Sequence, residues 1–289
     1  MLARNRQQMA AFEERVKREK EMGLDVRLVT PDEASRLVPG LLKKKITGGT
    51  YCPTDGTANP IRVSFAFAKA AKACGAKIYT HTEVIGIELA GTEIKTVETT
   101  KGRMWGEIVV NAAGPWAPII GHMVGIDIPI QPKRCQIMVT QKLPEGTCTP
   151  YTSTPGLYGD WIQTLHGNVI LDHSSRPVEQ YDHGVTFEAI SFQTFNTLQM
   201  IPPLGKVPVI RCFSGITEWT PDKIPIIGFV RERKGFLIDA GYSGHGFALG
   251  PICGKLVAEL ILHGKPSLPL DSFDYDRFKK QKAGEPNSC

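Results

Sequence analysis

The segment Gly235-Phe236-Leu237-Ile238-Asp239-Ala240-Gly241-Tyr242-Ser243-Gly244-His245-Gly246-Phe247-Ala248 is the most informative stretch of the chain. It reads as a buried strand, a loop with three glycines spaced G-x-x-G-x-G, and the start of an apolar helix. Glycines permit positive φ angles and close approach of the backbone, and a helix start offers unpaired N–H groups with partial positive charge. The turn could therefore bind a planar or anionic ligand, or be an ordinary tight strand-to-helix turn.

A second segment also combines a strand end with small residues. It is Ile108-Val109-Val110-Asn111-Ala112-Ala113-Gly114-Pro115-Trp116-Ala117. Its apolar triplet predicts a buried strand, small residues follow the strand, and Pro115 suits the first position of a helix. Small residues after a buried strand let a ligand lie against the backbone. They equally let a helix pack closely on the strand, so the spacing alone leaves both interpretations open.

Hydrophobic periodicity divides the rest of the chain into helices and strands. Thr30, Pro31 and Glu33 form a capping box that begins a helix of about two turns. Further helices are predicted over Arg4 to Met22, Ile61 to Cys74, Phe187 to Met200 and Phe247 to His263. Strands are predicted over Lys77 to Thr80, Glu83 to Ile87, Ile94 to Thr99, Met104 to Val110, Arg134 to Thr140, Val169 to Asp172, Val207 to Phe213 and Gly235 to Ala240.

The order of these elements predicts a mixed α/β fold. Helix, strand, hairpin and buried strand up to Val110 indicate an α/β layer that carries a β-meander. From Ile126 to Arg211, short strands between Pro- and Gly-rich turns indicate an antiparallel sheet with a helix, inserted as a second domain. The α/β layer resumes at Gly235.

Composition excludes several classes of protein. The 289 residues carry 34 Lys and Arg against 29 Asp and Glu, and no basic stripe interleaved with aromatic residues indicates a nucleic-acid surface. No apolar run reaches the roughly 18 to 20 residues of a membrane span. The seven cysteines are scattered without a C-x-x-C pair, which indicates a reduced, cytoplasmic compartment and no metal site.

Three ordered runs resemble the D-amino acid oxidase superfamily of FAD-dependent oxidoreductases. They are Val110 to Ala117, Thr220-Pro221-Asp222-Lys223-Ile224-Pro225-Ile226-Ile227-Gly228, and Gly241 to Phe247. Within the superfamily the chain looks most like the branch of the sarcosine oxidase β subunit, dimethylglycine dehydrogenase and the proline dehydrogenase β subunit. The segment Gly48 to Gly56 and the ending Ser272 to Phe278 fit this branch as well.

The resemblance implies noncovalently bound FAD in a three-layer α/β domain. That domain would comprise residues 51–122 and 215–280, with a substrate domain at 123–214, N-terminal helices and a crossover at 1–50 and a tail at 281–289. Val84 would lie against the adenine, and the rest of the cofactor would be bordered by Ala112, Ala113, Gly114, Trp116, Gly241, Ser243, Gly244, His245, Gly246, Phe247 and Ala248. His245 could act in catalysis as a hydrogen-bond donor near the flavin ring, or serve only its own loop.

The sequence departs from the family in two places. It contains no G-x-G-x-x-G, so the FAD-binding domain is expected to be incomplete, either truncated or completed by another polypeptide. Thr217 and Glu218 stand where related amino acid oxidases have an Arg that binds the substrate carboxylate. The carboxylate would then be held elsewhere, with Lys133, Arg134 and Arg176 as candidates. Glu218 would attract a cationic or secondary amine, unless it faces solvent or pairs with Lys223.

The resemblance, together with the two glycine-rich strand ends, leads us to expect an FAD-dependent oxidoreductase. It would oxidise the C–N bond of an amino acid or secondary amine, such as sarcosine, dimethylglycine or proline, to an imine by hydride transfer to the flavin. Thr217, Trp219 and Tyr158 are candidates for binding this small-molecule substrate. The alternatives are a noncatalytic truncated remnant or a structural subunit that needs a partner subunit for FAD binding, and a flavin-independent binding module.

Overall fold

The computed structural model describes residues 1–155, 159–177 and 181–282. The helices among them are α1 (Arg6–Glu21), α2 (Pro31–Leu37), α3 (Pro60–Ala73), α4 (Ala117–Met123), α5 (Phe187–Met200), α6 (Gly246–His263) and α7 (Arg277–Lys282). The strands are β1 (Leu2–Ala3), β2 (Arg27–Val29), β3 (Gly48–Tyr51), β4 (Val84–Ala90), β5 (Glu93–Thr99), β6 (Gly102–Trp105), β7 (Val109–Asn111), β8 (Gln131–Lys142), β9 (Thr152–Thr154), β10 (Gly159–Gln163), β11 (Asn168–Pro177), β12 (Val209–Trp219), β13 (Ile226–Phe229) and β14 (Phe236–Ala240). The predicted mixed α/β fold class is confirmed.

The strands form several small sheets. Three-stranded sheets have the orders β1-β3-β2, β4-β5-β6 and β13-β14-β7, and a five-stranded sheet has the order β12-β8-β11-β10-β9. The chain divides into two compact units. The first comprises Met1–Ala58, Arg134–Arg176 and Asp182–Gly215, and the second comprises Asn59–Lys133, Pro177–Tyr181 and the residues from Ile216. These bounds differ from the expected domains, because residues 51–58 group with the first unit and residues 123–133 with the second.

The first unit has its own hydrophobic core. Trp161, Met138 and Met200 are almost fully buried in it, on strands β10 and β8 and at the end of α5. The N-terminal elements contribute to the same core through Val29 of β2 and Ala34 of α2. Burial of this shared apolar surface explains why the N-terminal residues group with the antiparallel sheet.

The second unit is organised around β14, which is buried on both faces. Phe236 and Ile238 pack into one apolar cluster with Ile226, whereas Leu237, which points to the other face, packs with Cys253 and Val257 of α6. All three β14 residues have no exposed surface. A strand covered on both sides needs the continuous apolar run that the sequence shows.

Two predicted strands differ from the structure. Lys77 to Thr80 form no strand, and Ile78 and Tyr79 are exposed, so within the described residues this apolar segment has no partner strand. The predicted strand Met104 to Val110 is two strands, β6 and β7, which belong to different sheets. Gly106 lies in the break between them, where the chain leaves one sheet for the other.

Helices α3 and α6 leave apolar surface exposed in the second unit. No residue of α3 is buried, and Phe65 of α3 and Phe247 of α6 are 73% and 52% exposed. Val63, Phe67 and Gly250 line a groove between the two helices. In the part of the chain that the structure describes, α6 alone has the length and apolar composition of a membrane-crossing helix. The core helix of a soluble protein meets the same criteria, and three α6 residues are buried in this core.

Candidate active site

The two loops selected by the sequence analysis meet at one edge of a sheet. Strands β7 and β14 are parallel, with Val109 opposite Phe236 and Asn111 opposite Ile238. Parallel neighbours end at the same edge, and ligands of open α/β sheets bind at the carboxyl ends of the strands. The structure therefore brings residues 112–114, after β7, and residues 241–245, after β14, to the same side of the second unit.

The loop after β14 packs on the T-P-D run. Gly241 has φ +84°, and a Cβ atom there would lie 2.6 Å from Cγ2 of Thr220, so only glycine fits this position. Ser243 is fully buried, and its hydroxyl accepts a hydrogen bond from the Thr220 backbone N–H at 3.3 Å. Gly244, with φ +90°, is exposed at the tip of the loop. These contacts fix the loop, which leads directly into α6.

A hydrogen-bonded pair that the sequence analysis missed, half-buried Asp239 and buried Tyr242, lies against the first turn of α6. The Tyr242 hydroxyl donates a hydrogen bond to the Asp239 carboxylate. Burial raises the pKa of Asp239, and burial together with the neighbouring carboxylate raises the pKa of Tyr242. A Cβ atom on Gly246 would lie 3.2 Å from Cβ of Tyr242. A charged residue inside an otherwise apolar strand is the signal that could have identified this pair.

The N-terminus of α6 is open to a ligand. His245 occupies the cap position but makes no capping hydrogen bond through its side chain, and its ring Nδ1 lies 3.1 Å from the Ser243 carbonyl oxygen. Phe247 and Ala248, in the first turn, are exposed. The first turn thus presents backbone N–H groups and the positive end of the helix dipole at an exposed, glycine-lined edge. This set of donors fits the carbonyl and phosphate oxygens of FAD.

Glu218 lies beside the loop that follows β7. Its Oε2 atom is 3.7 Å from the position that a Cβ atom on Gly114 would occupy, and its backbone carbonyl accepts a hydrogen bond from Ser243 N–H. Burial raises the pKa of the Glu218 carboxyl, although the backbone N–H groups of Glu218 and Tyr242 lower it in part. Within the described residues no ion pair joins Glu218 to Lys223. The site therefore contains a half-buried acidic group that has no cationic partner among the residues that the structure describes.

Thr217, Trp219 and Lys133 form a second cluster in the same unit. The Trp219 indole N–H donates to Thr217 Oγ1 at 3.0 Å, and Thr217 Oγ1 donates to the Lys133 carbonyl oxygen at 3.1 Å. The Lys133 ammonium lies 4.3 Å from the centroid of the Trp219 ring. Trp219 also forms a β-bridge with Tyr242. The structure therefore brings the expected substrate-binding residues Thr217 and Trp219 next to the glycine loop.

An aromatic stack borders the loop after β7. The rings of Trp116 and Tyr181 are stacked with centroids 5.6 Å apart, and the Tyr181 hydroxyl donates to the Pro115 carbonyl oxygen at 3.2 Å. Trp116 was expected at the cofactor, whereas Tyr181 was not foreseen. Its place in the chain, between the elements of the first unit, gives no local signal for this contact.

Other expected site residues are not part of these clusters. Val84 begins β4, in a separate sheet, and packs against the core that contains Ile87. Arg134 belongs to the first unit, where it pairs with Asp182. Tyr158 lies outside the described residues, as does the side chain of Arg176.

Comparisons with known proteins agree with this arrangement. The family described as "DAO: FAD dependent oxidoreductase" matches residues 1–260. The chain is 26% identical to human mitochondrial sarcosine dehydrogenase, over 99% of this chain and 33% of that protein. It is 28% identical to glycine oxidase of Geobacillus kaustophilus, over 89% of this chain and 67% of that protein. The chain thus spans about a third of the length of the human relative.

Solved structures give the same result. The crystal structure of L-proline dehydrogenase from P. horikoshii superposes with a TM-score of 0.93 at 35% identity, covering 99% of this chain and 76% of that one. The shared fold and the family match over most of the chain agree, and the donor set at α6 fits FAD. The chain belongs to the DAO family of FAD-dependent oxidoreductases.

Proposed function

We propose that the chain oxidises the C–N bond of an amino acid or secondary amine of the sarcosine, dimethylglycine or proline kind. The proposal rests on one observation, which is that three features of the second unit lie next to the same loop. The open first turn of α6, the half-buried carboxylate of Glu218 and the Trp219 ring all adjoin the loop at 241–245. The open helix end is therefore close to an acidic side chain and to an aromatic ring.

The reaction needs two electrons and two protons to leave the substrate. A hydride leaves the carbon next to the nitrogen and a proton leaves the nitrogen, which gives an imine that water hydrolyses. Bound FAD supplies the hydride acceptor. The positive end of α6 stabilises negative charge at the acceptor, and the Glu218 carboxylate attracts the ammonium form of an amine by its field.

The names of the relatives support this class of substrate. Sarcosine dehydrogenase, dimethylglycine dehydrogenase and L-proline dehydrogenase are named for N-substituted amino acids, and each is similar to this chain. A site that binds a substrate carboxylate has a cationic residue next to it. Glu218 is acidic, so its charge repels a carboxylate at this position. The charge acts alike on secondary and primary amino acids, so it is the names of these relatives that favour secondary amines over primary D-amino acids.

A noncatalytic subunit that needs a partner for FAD binding is the second candidate. The exposed apolar surface of α3 and α6, with Phe65 and Phe247, favours it, since such a surface is typical of an interface. In this case the open helix end would bind FAD only in the complex.

Flavin content and flavin bleaching distinguish the two candidates. The purified chain, reconstituted with FAD, should show a flavin absorption band that sarcosine or proline bleaches without oxygen, faster than D-alanine does. A colourless protein that cannot be reconstituted would support the noncatalytic subunit. Fastest bleaching by D-alanine would contradict the preference for secondary amines.

A further inference from the structure

The ammonium group of Lys133 is held on one face of an aromatic ring. It lies 4.3 Å from the centroid of Trp219, a distance typical of a cation–π contact. The ring is itself fixed, because its indole N–H donates to Thr217. The backbone of Lys133 is fixed by the same threonine, which donates to the Lys133 carbonyl oxygen. Side chain and backbone of Lys133 are thus both positioned by strand β12.

The charge of Lys133 has no acidic partner in the described part of the chain. The ion pairs there include Arg134 with Asp182, one position further along the strand, but none that involves Lys133. The side chain is half-buried. The Trp219 ring contacts one side of the ammonium group and accepts no conventional hydrogen bond, so N–H donors remain for water or for an anion.

The position of this cation relates it to the cofactor-binding loop. Cζ2 of Trp219 lies 3.7 Å from the place that a Cβ atom on Gly244 would take, and Trp219 bridges to Tyr242. The ring therefore connects Lys133 to the loop that precedes α6. Thr217 and Trp219 are two residues apart on β12 and therefore lie on the same face of the strand. Glu218, between them, lies on the opposite face. The cation and the acidic group are thus presented on different sides of the strand end.

We infer that Lys133 binds the carboxylate of an amino acid substrate, an inference that rests on the proposed function. The ammonium keeps its contact with the Trp219 ring and donates charge-assisted hydrogen bonds to the carboxylate. Trp219 and Thr217 are positioning residues for this cation. Specificity then follows from charge, because an amine without a carboxylate leaves the Lys133 donors to water and is bound less tightly.

The test compares Lys133→Met, which keeps the aliphatic stem on the Trp219 ring, with Lys133→Arg, which keeps the charge. Lys95→Met is the matched control, because Lys95 is an exposed lysine of β5 in the same unit. The probe is cyclopentanecarboxylate, which has the ring and the carboxylate of proline but no amine. Its affinity for each FAD-reconstituted protein is measured by calorimetry and by tryptophan fluorescence. In parallel, proline and pyrrolidine are compared as reductants of the flavin.

Lys133→Met should weaken binding of cyclopentanecarboxylate by about 10- to 100-fold, the usual loss for a charge-assisted hydrogen bond. It should raise KM for proline and leave pyrrolidine oxidation unchanged, whereas Lys133→Arg should restore most of the affinity and Lys95→Met should behave as wild type. Unchanged carboxylate affinity in Lys133→Met would overturn the assignment. Failure of every amine to reduce the wild-type flavin would instead contradict the proposed function, and the binding measurement would still decide the role of Lys133.

Discussion

Arg277 binds the carboxylate of Asp222 through two hydrogen bonds, Nε to Oδ2 at 2.7 Å and Nη2 to Oδ1 at 3.3 Å. The same guanidinium donates to the carbonyl oxygens of Ile224 and Phe273. The side chains of Arg277 and Asp222 are only 13% and 18% exposed. The ending of the chain therefore holds the T-P-D turn, which in turn contacts the glycine loop through Thr220. Contacts thus link the chain's ending, the T-P-D run and the glycine loop.

Replacing Asp222 should destabilise the second unit. Asp222→Ala leaves the guanidinium of Arg277 largely buried without its carboxylate, which should lower the free energy of unfolding by about 3 kcal/mol. Urea unfolding measures the change. The control is Lys234→Ala, which breaks an exposed ion pair with Glu93 and should leave the free energy of unfolding nearly unchanged. Equal changes in the free energy of unfolding for the two substitutions would show that the ion pair of Arg277 with Asp222 does not stabilise the fold.

The same pair should make stability depend on acid pH. Burial alone would raise the pKa of Asp222, but hydrogen bonds from Arg277 and from the Ile224 N–H, with the charge of Arg277, hold it below its usual value. A carboxyl whose folded-state pKa is depressed stabilises the fold above its unfolded pKa of about 4 and loses that contribution as the pH falls below it. Thermal unfolding of wild type should therefore lose stability below about pH 4 more steeply than Asp222→Asn.

Gly246→Ala should weaken both the fold and FAD binding. The added methyl would lie 3.2 Å from Cβ of Tyr242, so Tyr242 must shift, and overpacking of this kind costs about 1 to 3 kcal/mol. The collision is therefore with Tyr242, in addition to any contact with the flavin. Gly250→Ala is the control, since no atom of the protein lies within 4 Å of the added methyl group and alanine favours a helix. Calorimetry should show a lower melting temperature for Gly246→Ala than for Gly250→Ala, and FAD titration should show weaker FAD binding. Equal values for the two variants would show that the contact of Gly246 with Tyr242 does not support the site.

Glu218→Gln should lower the preference for amines that lack a carboxylate. Without the charge, the site no longer attracts ammonium or repels carboxylate, so the ratio of kcat/KM for pyrrolidine to that for proline should fall by roughly tenfold. Because burial raises the pKa of Glu218, its ionised form destabilises the fold, and the variant should gain stability relative to wild type as the pH rises above the unfolded-state pKa of about 4. An unchanged ratio of the two kcat/KM values would show that the charge of Glu218 does not act on the bound substrate.

Adding a strand, G-x-G-x-x-G and helix segment of the family type should raise FAD affinity. The pyrophosphate of a dinucleotide binds at the helix N-terminus that follows this motif, and the sequence given contains no such motif. The segment can be co-expressed or fused ahead of Met1, and FAD affinity measured by fluorescence quenching. A segment with the glycines changed to valine is the control. Equal affinity with and without the segment would show that the residues of this chain hold the cofactor by themselves.

Local signals in the sequence predict most of the helices. The capping box at Thr30 forms as expected, with Glu33 N–H donating to Thr30 Oγ1 and the Thr30 N–H donating to Glu33 Oε2. Helix α5 has the predicted bounds, Phe187 to Met200, because Thr186 caps it and Pro202 follows it. Such signals depend only on residues a few positions apart.

Features that depend on distant residues could not be read from the sequence. The segment with Ile78 and Tyr79 has strand composition but no partner strand among the described residues, and pairing rather than composition makes a strand. The stack of Tyr181 on Trp116 joins residues far apart in the chain. For the same reason, the sequence left Lys133 and Arg134 equivalent, whereas the structure places Lys133 at Trp219 and Arg134 at Asp182.

The apolar surface of α3 and α6 also determines how the chain behaves during purification. Phe65, Phe247 and Leu262 expose large apolar side chains that water solvates poorly. Salts that are excluded from protein surfaces strengthen association of such groups, so the chain should precipitate early in ammonium sulfate and be retained strongly on phenyl resin. A covering subunit or segment would remove this retention. Hydrophobic chromatography can therefore separate the bare form from the covered form before any assay of activity is made.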